Sequence, residues 1–94
     1  MSTAEHRIKS MLNIHYFASI REALNKQEEH LELPETVSSV GDLIDYLITA
    51  SPEAASIFNS DRSILIAVNQ IVASRANILQ PDDEVAFFPP MTGG

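Results

Sequence analysis

Apolar and polar residues begin to alternate at Met11: Leu12, Ile14, Tyr16 and Ala18 fall on one side, with Asn13, His15, Phe17 and Ser19 on the other. A period of two residues is that of a strand with one buried face. Phe17 is the exception in the second set, a large apolar ring on the side that is otherwise polar. A short Arg21–Leu24 segment and a polar stretch from Asn25 to His30 come next, and Glu29 to Leu33 reads as a second, weaker strand stopped by Pro34. Two strands with a short connection predict a hairpin.

The period then changes. Val40, Leu43, Ile44, Leu47 and Ile48 recur at helical spacing and form one apolar stripe. Ser39-Val-Gly-Asp42 opens this helix as a capping box with aspartate in the usual glutamate place, which sets a carboxylate at the positive end of the helix dipole. Ser51-Pro52 closes it and starts a short second helix, since proline fits the first helical position; Ala54, Ile57 and Phe58 are its expected buried side.

Asn59 to Arg62 is a turn, and Ile64 to Val68 is almost continuously apolar, as in a strand buried on both faces. Asn69-Gln70 is a two-residue turn into Ile71-Val72-Ala73, although glutamine is a poor second turn residue. Pro81-Asp82-Asp83 turns the chain into a last strand, Glu84 to Phe88, which Pro89-Pro90 ends. This order predicts an α+β fold, a mixed sheet of about five strands with one main helix across one face, reached by a right-handed crossover. That is the β-grasp arrangement. Residues 1–10 read as a polar extension, 11–88 as the domain and 89–94 as an extended tail.

Composition narrows the function classes. With 94 residues the chain buries only a modest core, and it has no cysteine to brace it. The absence of cysteine also removes thiolate metal sites and cysteine nucleophiles, and it fits a reducing cytoplasm. A formal charge of −7 argues against nucleic acid as a partner and fits a basic protein surface better. No apolar run approaches the roughly 20 residues that span a bilayer, and Met1–Ser10 lacks the apolar core of a signal peptide. A cytoplasmic protein without a membrane partner is the expectation.

His6, His15 and His30 fall in the extension, on a strand and in a loop, without the spacing that converging metal ligands need. No nucleophile elbow or phosphate-binding glycine loop is present, and the acidic Pro81–Glu84 stretch is explained by an exposed turn. No metal and no cofactor held by this chain is expected, and a self-sufficient enzyme is not.

Chemistry is left to the end of the chain, Phe87-Phe88-Pro89-Pro90-Met91-Thr92-Gly93-Gly94. Pro89-Pro90 favours an extended polyproline path, and the residues beyond Phe88 reach at most about 20 Å. Gly93 and Gly94 have no side chains and suit a narrow channel. A terminal carboxylate resists nucleophiles, but adenylation by ATP on a partner enzyme would make it a mixed anhydride. A sulfur nucleophile could then displace AMP and leave a thiocarboxylate on Gly94.

Tyr16-Phe-Ala-Ser-Ile-Arg-Glu22, Ala67-Val-Asn-Gln70 and, most specifically, Asp83-Glu-Val-Ala-Phe-Phe-Pro-Pro-Met-Thr-Gly-Gly94 resemble the ubiquitin-like, sulfur-carrying small subunits of molybdopterin synthase, over roughly residues 11–94. The resemblance implies that a ubiquitin-activating-like adenylyltransferase spends ATP on Gly94 and that a sulfurtransferase system thiocarboxylates it. The tail would then enter the active site of the molybdopterin synthase large subunit, within a heterotetramer, and give sulfur to cyclic pyranopterin monophosphate. Catalytic side chains would belong to the large subunit.

The resemblance also favours Phe17, Val72 and Phe88 as an exposed apolar patch for that partner, with Pro89, Pro90, Met91 and Thr92 inserted with Gly93 and Gly94; Arg21, beside the first strand, is a candidate to pair with an acidic group on a partner. Alternation sends one of Phe87 and Phe88 to the helix and the other to the open sheet, without saying which. Rival readings are a carrier for thiamine or tungsten-cofactor synthesis, a protein modifier whose Gly94 is attacked by a lysine, and a plain binding module.

Overall fold

In the computed structural model, residues 11–59 and 64–90 are described. The first strand, β1 (Met11–Tyr16), buries Leu12, Ile14 and Tyr16 and leaves the alternate side chains on the opposite face. It ends three residues before the alternation does. At Ala18 the backbone takes a positive φ of 53°, and a helix, α1 (Ala18–Leu24), begins where the sequence pattern carries the strand on through Ser19. Phe17 is its N-cap and makes no side-chain capping bond, so nothing local marks the start; Ile20, buried in the core, holds the helix in place.

The second strand is β2 (Glu28–Glu32), shifted by one residue from the expected span and containing His30, which the sequence assigns to a loop. It pairs antiparallel with β1, Met11 opposite Glu32 and His15 opposite Glu28. The expected short hairpin is therefore replaced by a connection that carries a helix.

The main helix, α2 (Val40–Ala50), buries Val40, Leu43, Ile44 and Leu47, with Ile48 half-buried at the margin of the stripe. Its capping box is altered by the shorter aspartate. The Asp42 N–H donates to Ser39 Oγ (3.2 Å), while the Asp42 carboxylate accepts from the Ser38 N–H (3.1 Å) and Ser38 Oγ (3.0 Å). The first two helix amides are satisfied by a neighbouring loop: Val40 donates to the Asn77 carbonyl and Gly41 to that of Arg75, both at 2.9 Å. A side chain at Gly41 would stand 3.3 Å from the Arg75 oxygen, so the close approach suits glycine there. A short α3 (Pro52–Phe58) follows, capped by Ser51 and buried through Ala54 and Phe58, with Ile57 partly covered.

Strands β3 (Leu65–Val68), β4 (Ile71–Ala73) and β5 (Glu84–Phe88) complete a five-stranded sheet in the order β2-β1-β5-β3-β4. Only β1 and β5 run parallel among the paired strands. The register sets Ile14 and Val68 on either side of Val85, and Tyr16 and Ile66 on either side of Phe87. These residues face the helices and form the core with α2 and α3, where Phe58 meets the Phe87 ring edge-on at 5.0 Å. This is a ubiquitin-like β-grasp fold. Strand β3 is not buried on both faces throughout, because Leu65 is 41% exposed. The turn expected from Asn59 continues outside the described residues, as do residues 1–10 and 91–94.

Candidate functional site

The helices cover one face of the sheet, and the other face is open. Alternation in the central strands decides what it displays. From β1 come Asn13 and His15, followed by Phe17 just past the strand end; β5 supplies Glu84, Ala86 and Phe88; β3 and β4 supply Leu65, Ala67 and Val72. Together His15, Phe17, Leu65, Ala67, Val72 and Phe88 line a shallow apolar groove, with Gln70, Glu84 and Ala86 completing its wall.

Phe87 and Phe88 are thereby separated. Phe87 is fully buried, and Phe88 lies on the open face with its ring stacked on Phe17, centroids 4.5 Å apart and planes within 3°. Val72, at 70% exposure, stands at the outer edge of the same groove, opposite Ala67. The exposed Phe17 and Val72 and the half-buried Phe88 thus line one groove. A patch of this kind, rimmed by polar groups, is the usual mark of a protein-binding surface. Arg21 is not part of it: it lies exposed on α1, outside the groove, and its side chain makes no ion pair with the described residues.

The polar end of the groove contains residues the sequence pattern does not single out. His15 lies between two carboxylates, with Nε2 3.0 Å from Glu84 Oε2 and Nδ1 3.7 Å from Glu28 Oε1. His30 extends the row, its Nε2 3.8 Å from Glu28 Oε2 and its Nδ1 hydrogen-bonded to Asn13 Oδ1. Strand period alone places His15 and Phe17 on the same face; what it cannot supply is the register that brings Glu84 and Glu28 to either side of the ring. Among the described residues, no group of three or more His, Asp or Glu side chains is placed to hold a metal ion.

On the helix side the root of the tail occupies a second cleft. Pro89 and Pro90 line it together with Ile20 and Ala23 of α1, Ile57 of α3, and Ile64. The tail therefore leaves the last strand between two apolar surfaces, the groove through Phe88 and this cleft through the prolines. Met91, Thr92, Gly93 and Gly94 lie outside the described residues. A tyrosine at the far side of the core is fixed as a donor: Tyr16 Oη donates to Glu29 Oε1 at 2.9 Å, and burial, reinforced by that carboxylate, pushes its ionisation well above the ordinary tyrosine range. Among the described residues no helix is long and apolar enough to cross a membrane.

Comparison with known proteins gives this arrangement relatives. The ThiS family profile matches residues 14–94. The molybdopterin synthase sulfur carrier subunit of Escherichia coli is 34% identical over 84 residues, which cover 89% of this chain and 100% of that protein. The subunit of the same name from Mycobacterium tuberculosis is 31% identical, over 88% of this chain and 96% of that protein. Among solved structures, SAMP1 from Haloferax volcanii superposes with a TM-score of 0.76 at 26% identity, over 89% of this chain and 99% of that one.

Proposed function

The chain belongs to the ThiS family, and from that membership we propose that it is the sulfur-carrier subunit of a molybdopterin synthase. The observation that carries this reading is a family match over residues 14–94, which includes Gly93 and Gly94, together with relatives named as molybdopterin synthase sulfur carrier subunits.

In this reading the Gly94 carboxylate attacks the α-phosphorus of ATP on a ubiquitin-activating-like adenylyltransferase, and pyrophosphate leaves. A sulfurtransferase system supplies a sulfur nucleophile, which adds to the acyl carbon. The bond to AMP breaks and a C–S bond takes its place, giving the thiocarboxylate. The carrier then docks on the large subunit through Phe17, Val72 and Phe88, and its tail enters that subunit's active site. There the sulfur bonds to cyclic pyranopterin monophosphate, water cleaves the acyl C–S bond and Gly94 returns to a carboxylate, with two such deliveries per dithiolene and two carriers in each heterotetramer. This chain contributes the reactive end and the docking face; ATP and the catalytic side chains are held by its partners.

Intact mass of the chain isolated from its own cells tests the proposal. Replacement of one oxygen by sulfur at Gly94 is the expected result. A chain that never carries sulfur, or one joined through Gly94 to lysines of other proteins, would overturn it in favour of a plain binding module or a protein modifier. Rescue of a thiamine-requiring strain, without rescue of one deficient in molybdenum cofactor, would redirect the carrier to another pathway.

A further inference from the structure

The groove is apolar except where His15 stands between Glu28 and Glu84. An imidazole is the one side chain whose ordinary titration falls between about pH 5 and 8. We infer that docking on the open face takes up a proton at His15, so that the grip of the partner on this carrier weakens as pH rises through neutrality. The inference rests on the docking reading above and adds its regulation.

The argument is one of solvent. In the free chain the three side chains are partly wet, His15 at 28%, Glu28 at 52% and Glu84 at 40% exposure. Water screens the attraction between them and solvates whichever charges exist. A protein surface laid over the groove removes that water, and two consequences follow together. Attraction between an imidazolium and the flanking carboxylates grows several-fold as the effective dielectric falls. A carboxylate left beneath the partner without a counter-charge becomes costly. Both favour the protonated ring and, with a carboxylate on each side of it, outweigh the cost of drying the imidazolium itself, so binding draws in a proton at any pH where the free ring is still partly neutral.

The charged and titratable groups facing His15 are Glu28 from β2, Glu84 from β5 and, beyond Glu28, His30. The remaining groove side chains from β3, β4 and their turn, Leu65, Ala67, Gln70 and Val72, carry no charge. His30 is 60% exposed on the edge strand and does not line the groove, which leaves His15 as the one imidazole among the groove's lining residues.

The test is calorimetric binding of the full chain to the molybdopterin synthase large subunit at fixed ionic strength. It runs between about pH 6 and 8, and in two buffers of different ionisation heat at neutral pH. Affinity should fall roughly three- to tenfold over that range, with net proton uptake on binding. His15→Gln should flatten the slope and cancel the uptake, Glu84→Gln should reduce both, and His30→Gln should keep both. A slope and uptake that persist in His15→Gln overturn the inference, as does binding of the unaltered chain without any pH dependence. No binding at any pH overturns the docking reading itself, which separates the two failures.

Discussion

Two adjacent phenylalanines meet two different environments, and each substitution tests a different part of the molecule. Phe87 is enclosed by Tyr16, Phe58 and the inner face of the sheet. Replacing it with alanine should cost about 3–5 kcal/mol, read as a large drop in thermal midpoint. Phe88 rests on Phe17 in the open groove. Phe88→Ala should cost about 1 kcal/mol or less in stability, while weakening association with the large subunit by a factor of ten or more, on the order of a well-buried interface aromatic. A large stability loss with unchanged binding would make Phe88 a core residue instead. The sequence showed that these rings face opposite ways; assigning them needed the register of β5 against β1. Asp42 offers a pH experiment at the same scale. The Ser38 N–H, the Ser38 hydroxyl and the capping bonds with Ser39 hold its carboxyl below the ordinary aspartate range. A depressed value in the folded chain means stability that is present above the usual carboxylate range and lost as pH falls through the lowered value. Asp42→Asn should therefore flatten part of the acid limb of a stability–pH curve; an unchanged limb would show that the cap contributes nothing.

Elements were legible where they announce themselves locally. The stripe on α2 and its Ser39 cap, the Pro52 start of α3 and the Asn69-Gln70 turn all stand where the pattern puts them. The helix α1 does not, for a physical reason. Its first residues continue a strand alternation, its N-cap is a phenylalanine, and its first turn carries no acidic residue. It is held by burial of Ile20 and by packing against α3 and β5, which a local pattern cannot contain. The expected pairing of the first two strands holds, antiparallel, but their connection is not short, since it contains that helix. The turn between β3 and β4 yields the prediction at this scale. Asn69 and Gln70 both adopt left-handed backbone, with φ of 52° and 70°. Asparagine adopts this readily and glutamine only at a cost. Gln70→Gly should stabilise the domain by roughly 0.5–1 kcal/mol, visible as a higher thermal midpoint; a lower one would mean that the Gln70 side chain contributes more than its backbone strain costs.

For the whole molecule, the groove is assembled from segments distant in sequence, His15 and Phe17 near one end of the domain and Glu84 to Phe88 at the other. Each residue was readable as open-faced, but their meeting depends on the parallel pairing of β1 with β5. The tail gives the matching prediction. In the proposed function its reach is set by the residues after Phe88, and insertion into a closed active site would tolerate little error in length. Deleting Gly94, or adding a single residue after it, should abolish sulfur delivery to the pyranopterin precursor while leaving the melting curve unchanged. Retained delivery by either variant would remove the thiocarboxylate mechanism.

Strand β5 lies in the middle of the sheet, yet it is the last of the strands to be synthesised. Before it arrives, β1 with β2 and β3 with β4 are two separate antiparallel pairs, each with an unpaired edge where β5 belongs. A polypeptide interrupted short of Glu84 lacks the centre of its own sheet, and its exposed edges mark it for aggregation or degradation. The same few residues that complete the fold also lead into the tail, so a chain able to carry cargo is, by construction, one that has finished folding.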